Sequence, residues 1–170
     1  MAAGLLALAG CGGATVEDLL LACPQVSMPG DLRDLTLYRD GAVPDLTNLV
    51  LDARMVEARG PCSLGRRSQS VQVRLTVGFE VERGPAAQGR AAELPWLLAL
   101  VSPEGEVVSR QTFRLPVVFA PNVTRANVSA PPIEVDFPAR ARTRIQDWRV
   151  VAGFQLDEAQ LALNRRRGPR

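Results

Sequence analysis

SVQVRLTVGFEVER, residues 70–83, decides the fold. Val71, Val73, Leu75, Val77, Phe79 and Val81 alternate with Gln72, Arg74, Thr76, Gly78, Glu80 and Glu82. A period of two sends the first set to one face of a β-strand and the second to the other. An all-apolar face backed by a polar, charged one describes an antiparallel strand with a core on one side and water on the other.

The neighbouring stretches repeat the pattern. Across Leu46 to Arg59, the residues Leu49, Leu51, Ala53 and Met55 share a face, after which Val56 and Ala58 switch parity. That switch predicts a bulge near Met55-Val56. Gly60-Pro61 ends this strand, a polar loop runs to Ser68, and the two strands are expected to pair. Downstream, Leu94 to Val101 is apolar on both faces and reads as a central strand covered twice. Ser102-Pro103-Glu104-Gly105 is a turn, and Glu106 to Phe119 returns with Phe113, Leu115, Val117 and Phe119 inward. Pro116 marks an edge or a bulge, because proline cannot donate to a ladder. Residues 120–132 read as loop. The sequons at Asn122 and Asn127 are taken as chance.

Shorter elements complete the chain. A strand is expected around Thr36-Leu37-Tyr38, another over Ile133, Val135 and Phe137 ending at Pro138, and a last one over Asp147 to Leu156. The Arg140, Arg142 and Arg144 series reads as a solvated connection. Asp157 with Gln160 three residues on is a capping-box pattern, opening a helix that runs to Arg167. Arg165, Arg166 and Arg167 suit its negative C-terminal end. About seven short strands separated by turn signals make an all-β, antiparallel sandwich with a short C-terminal helix. An immunoglobulin-like or fibronectin III-like arrangement fits the size best, and a closed barrel is the alternative. Cys23 and Cys62 lie too early, with no Trp between them, for a true immunoglobulin signature.

Composition narrows the chemistry. The chain has 170 residues, 46% hydrophobic and 22% charged, which suits one globular domain. A net charge of +2 does not by itself call for a nucleic-acid partner. His is absent, which removes the commonest general base and metal ligand. All 20 basic residues are Arg, a bias attributed first to a GC-rich genome.

The N-terminus carries an address. Residues 1–10, MAAGLLALAG, are small and apolar, and Cys11 follows. Leu8-Ala9-Gly10-Cys11 resembles the lipobox of bacterial lipoproteins, and the whole chain resembles small envelope lipoproteins of GC-rich proteobacteria. The resemblance implies that Cys11 is acylated after cleavage and that the mature protein is held at a membrane in the cell envelope. A signal peptide begins with positive charge; none is present, so the start is expected upstream of Met1. The alternative is a buried apolar segment with an ordinary cysteine. The apolar run is too short for a spanning helix, which needs roughly 20 residues. Gly12, in place of the Asp that marks inner-membrane retention in such lipoproteins, favours the outer membrane.

With Cys11 assigned to lipid, Cys23 and Cys62 are left in an oxidising compartment and are expected to pair. Two buried thiols are the alternative. No metal site or cofactor is expected, since two thiolates without His do not make a cage. The resulting organisation is a signal peptide over 1–10, a lipidated tether over 11–22, a sandwich over 23–156, and a C-terminal helix and Arg-rich tail over 157–170. The functional expectation is a non-catalytic binding or structural module with an envelope protein partner and no nucleic acid. Two alternatives stand beside it. One is a glycan hydrolase using paired carboxylates such as Glu80 and Glu82, with Glu57 on the neighbouring strand. The other is an anionic-surface binder working through Arg165, Arg166, Arg167 and Arg170.

Overall fold

A computed structural model describes residues 23–64, 70–138 and 145–168, and within them lie ten strands and an α-helix. The decisive stretch forms one 14-residue strand, β5 (Ser70–Arg83). All six of its alternating apolar side chains are at most 2% exposed.

Because its whole length is pairing-competent, β5 carries partners along both edges. On one edge lie β3 (Leu49–Arg59) and β4 (Cys62–Leu64), antiparallel. The register slips once, between Met55 and Glu57, which is the expected bulge at Val56. From Glu57 onward β3 and β4 keep a single register, and Pro61 O between them accepts from Arg74 N–H. They act as one strand interrupted at Gly60-Pro61. The segment read as a polar loop therefore contains a short strand. On the other edge lie β8 (Arg125–Ser129) and β9 (Ile133–Pro138). Between them Ala130 N–H donates to Val77 O. The expectation that 120–132 is loop is corrected by β8. Its sequence, RANVS, lacks a strong apolar alternation, and β5 supplies the ladder that makes it a strand. Beyond β3, β2 (Asp34–Tyr38) completes this six-stranded sheet.

The second sheet has four strands in the order β1-β10-β6-β7. Its long pair is β6 (Ala91–Val101) and β7 (Val107–Val118), joined by the predicted turn. β10 (Arg149–Phe154) lies antiparallel to β6, and β1 (Gln25–Ser27) runs parallel to β10. β6 is interior to its sheet, as its two apolar faces imply, and Pro116 lies on an edge strand. The two sheets face each other across one core. Phe79 of β5 meets Trp96 of β6 at 5.7 Å, near-perpendicular, and Phe154 of β10 at 5.6 Å. Each such fully buried side chain contributes about 1.5–3 kcal/mol of burial free energy. The result is a two-sheet, mainly antiparallel sandwich.

Two devices tie its ends. Cys23, ahead of β1, is disulfide-bonded to Cys62 of β4, with Cα atoms 5.9 Å apart, so the bridge joins the two sheets. The helix α1 (Glu158–Arg167) opens with the predicted capping box: Asp157 accepts from Gln160 N–H, and the Gln160 side chain accepts from Asp157 N–H. Its buried Asn164 donates to the Asp31 and Asp34 carbonyls. Asp34 O points away from β3, since Arg33 O accepts from Met55 N–H one position earlier. Asn164 therefore seals the outer edge of β2.

Two stability outcomes are expected. A Cβ on Gly60 would run into the Arg74 carbonyl, so Gly60→Ala should lower the unfolding free energy by about 2 kcal/mol, as overpacking does. A Gly41→Ala control, where a Cβ meets nothing within 4 Å, isolates the cost of positive φ. Replacing Cys23 and Cys62 together by Ser should cost about 4 kcal/mol, read as a lower urea midpoint.

Candidate functional site

The polar face of β5 becomes the floor of a shallow charged cleft of about 460 Å³. Strand register sets its composition. Asp34, Arg54, Glu80 and Asn127 stand opposite one another across β2, β3, β5 and β8, forming one row. Thr36, Asp52, Glu82 and Arg125 form the next. Side chains so placed lie about 4.5–5.5 Å apart at Cβ, close enough for charge pairing.

The pairs are unequal. Arg54 Nε donates to Asp34 Oδ1 at 3.0 Å, and the Asp34 side chain is only 6% exposed. Arg54 Nη2 is buried without a hydrogen-bond partner among the described residues. Arg125 Nε reaches Glu82 Oε2 at 3.1 Å in the open, with the two side chains 78% and 45% exposed. Exposed pairs of that kind contribute little, about 0–1 kcal/mol. The bulge at Val56 places Glu57 opposite Gly78, so Glu57 shares the face of Glu80 and Glu82, where it pairs with Arg59. The three carboxylates named as a hydrolytic alternative are thus on one face. Glu82 and Glu57 are each engaged by an arginine, while Glu80 is exposed and stands opposite Arg54. Sequence reading missed Asp52, Arg125 and Asn127 as members of this cleft. The last two are hidden in the sequence because the stretch that forms β8 reads as loop.

A second opening lies between the sheets on the β7 and β9 side, with a volume of about 280 Å³. Its floor is Leu98, Leu100 and Val150, and β9 forms the opposite wall through Val135, while Glu134 and Asp136 lie opposite Arg74 and Gln72 on the outer face of their sheet. Beside it, Val107 to Thr112 of β7 are exposed on both faces. Val107 and Val108 are 62% and 50% exposed.

The remaining predicted site residues divide. Cys23 and Cys62 are brought together as a disulfide. Arg165 pairs with Asp31 at 3.4 Å, and Arg167 donates to the Thr36 hydroxyl at 3.1 Å and the Tyr38 hydroxyl at 2.7 Å. Those two arginines dock α1 on the sandwich, whereas Arg166 lines a groove between α1 and the segment after β2. Cys11, Arg170 and the Arg140–Arg144 series lie outside the described residues. No group of His, Cys, Asp and Glu among the described residues is arranged to hold a metal ion. No described helix is long and apolar enough to cross a membrane.

The class defined by these features is a disulfide-linked, two-sheet β-sandwich with a C-terminal helix sealing one edge. No protein-family model, curated protein or solved structure matches the chain.

The two arginines of the cleft should respond differently to truncation. Arg54→Ala removes the ion pair of a buried carboxylate and should cost about 2–3 kcal/mol. Arg125→Ala should change stability by less than about 1 kcal/mol in the same thermal or urea titration. Equal losses would show that burial does not rank these pairs.

Proposed function

We propose that the chain is a membrane-tethered, non-catalytic binding module of a bacterial cell envelope. In this reading Cys11 carries the lipid, residues 11–22 form the tether, and the sandwich meets an envelope protein. The lipobox-like Leu8-Ala9-Gly10-Cys11 supports the anchor. The inter-sheet disulfide accords with an oxidising compartment. The observation that carries the binding reading is β7, a 12-residue strand at the edge of its sheet with exposed valines at its start.

Within sandwiches, we read the architecture as immunoglobulin-like in the broad sense of two facing sheets. What supports it is the facing core and the parallel approach of β1 to the last strand. The strand order is this chain's own, since β10 lies beside β6 while β9 belongs to the other sheet. The anionic-surface alternative draws less support, because Arg165 and Arg167 are already engaged within the fold.

The anchor is tested by expressing the full-length protein with its native start in a Gram-negative host. Mass spectrometry should find the mature N-terminus at Cys11 carrying lipid. Cys11→Ser should move the protein from the membrane fraction to the soluble one. Retention in the membrane with an unmodified Cys11 would refute the tether.

A further inference from the structure

The edge strands of this sandwich are treated differently. β1 and β4 are each three residues long. β2 is sealed by Asn164 and Arg167 of α1. The β8–β9 edge is broken by Pro131-Pro132. β7 is 12 residues long, and among the described residues no strand pairs with its outer edge. Long bare edges are templates for another strand, which is why folds usually cover or shorten them.

The direction of its free groups can be read from the ladder. Phe119 N–H donates to Arg90 O, continuing the register of β6 and β7. In an antiparallel pair, alternate residues turn both backbone groups away from the partner. Arg110, Thr112 and Arg114 therefore present N–H and C=O outward, and Pro116 falls on an outward position where its missing N–H breaks no internal bond. Proline there limits the free stretch to the first two-thirds of β7, which is the part beside the opening between the sheets.

We propose that the outer edge of β7, from Val108 to Arg114, accepts an extended segment of a partner protein as an added strand, with apolar and acidic residues alternating. The inference rests on the binding-module reading and names its partner class. Inward side chains of such a strand would enter the opening floored by Leu98, Leu100 and Val150. The apolar floor, with Val135 of β9 on the far wall, disfavours acids there, since a charge entering it would lose its hydration. Outward side chains would lie beside Arg110, exposed and without a charged partner among the described residues, and beside Arg114, whose pair with Glu93 is open to water. The two sides thus ask for different residues, and period-two alternation supplies them. A second copy of this chain fits less well: an antiparallel pairing centred on Thr112 would set Arg110 of one copy against Arg114 of the other, a like-charge juxtaposition.

Thr112→Pro is the discriminating variant. It deletes an outward N–H, as Pro116 already does, without touching the β6 ladder. In cells, a photo-crosslinking residue at Arg110 is compared with one at Glu80 on the opposite sheet. The expected result is a partner crosslinked from Arg110, with the attached peptide showing acidic–apolar alternation. Thr112→Pro should lower that yield by about tenfold while the melting temperature stays within a few degrees. In the isolated protein, the amides of Arg110, Thr112 and Arg114 should exchange rapidly. The inference is overturned by protection of those amides in the isolated chain, by crosslinks to a second copy or to residues 1–22, or by a yield indifferent to Thr112→Pro. Crosslinks from Glu80 alone would overturn it while leaving a binding module. No crosslink from either face would remove both readings.

Discussion

The pairing of β5 on both edges is the constraint from which the rest follows. One strand of 14 residues holds β3 and β4 on one side and β8 and β9 on the other, while its apolar face supplies the middle of the core. A slip of one residue anywhere along it would turn Phe79 out to water and Glu80 into the core. The aromatic contacts of Phe79 with Trp96 and Phe154 fix the same register from the opposite sheet. Backbone pairing and side-chain packing therefore select a single arrangement.

That arrangement orders the charges on the outer face. Because β2, β3, β5 and β8 are in register, residues far apart in the chain become two charged rows, with Asp34–Arg54 and Glu82–Arg125 as ion pairs and Asp52 set opposite Glu82. Arginine suits these positions, since its fork of donors reaches carboxylates and carbonyls together. Arg33 Nε, for example, donates to Met55 O at 2.8 Å beside the bulge. The same residue type docks α1 through Arg165 and Arg167. Much of the arginine of this chain is thus structural, and a basic composition is a poor guide to an anionic partner here.

The treatment of edges sets one side of the sandwich apart. Helix α1 covers β2, and the disulfide closes the loop that joins β1 to β4, so the β1 and β2 side is bound together. On the other side, β7 and the β8–β9 pair stand apart, with an opening between the sheets. Prolines 116, 131, 132 and 138 all lie on this side. They restrain the edges without sealing them, which is the usual way to keep an exposed strand from pairing indiscriminately.

Much of this was legible in the residues themselves. Strict alternation located β5 to the residue, a change of parity located the bulge at Val56, and Asp157 with Gln160 located the helix start. Each of these is local: the signal and the structure it specifies lie within a few residues of each other. The even cysteine count selected the Cys23–Cys62 bridge once Cys11 was set aside. By contrast β1, β4 and β8 are three to five residues long, too short for the weak alternation in β1 and β8 to mark a strand on its own. They are strands because β10 and β5 offer them hydrogen bonds, and that offer exists only after the chain has folded. The charged cleft and the bare edge of β7 belong to the same category. Alternation told which residues face outward, but strand order decided which of them became neighbours and which edge has no partner among the described residues.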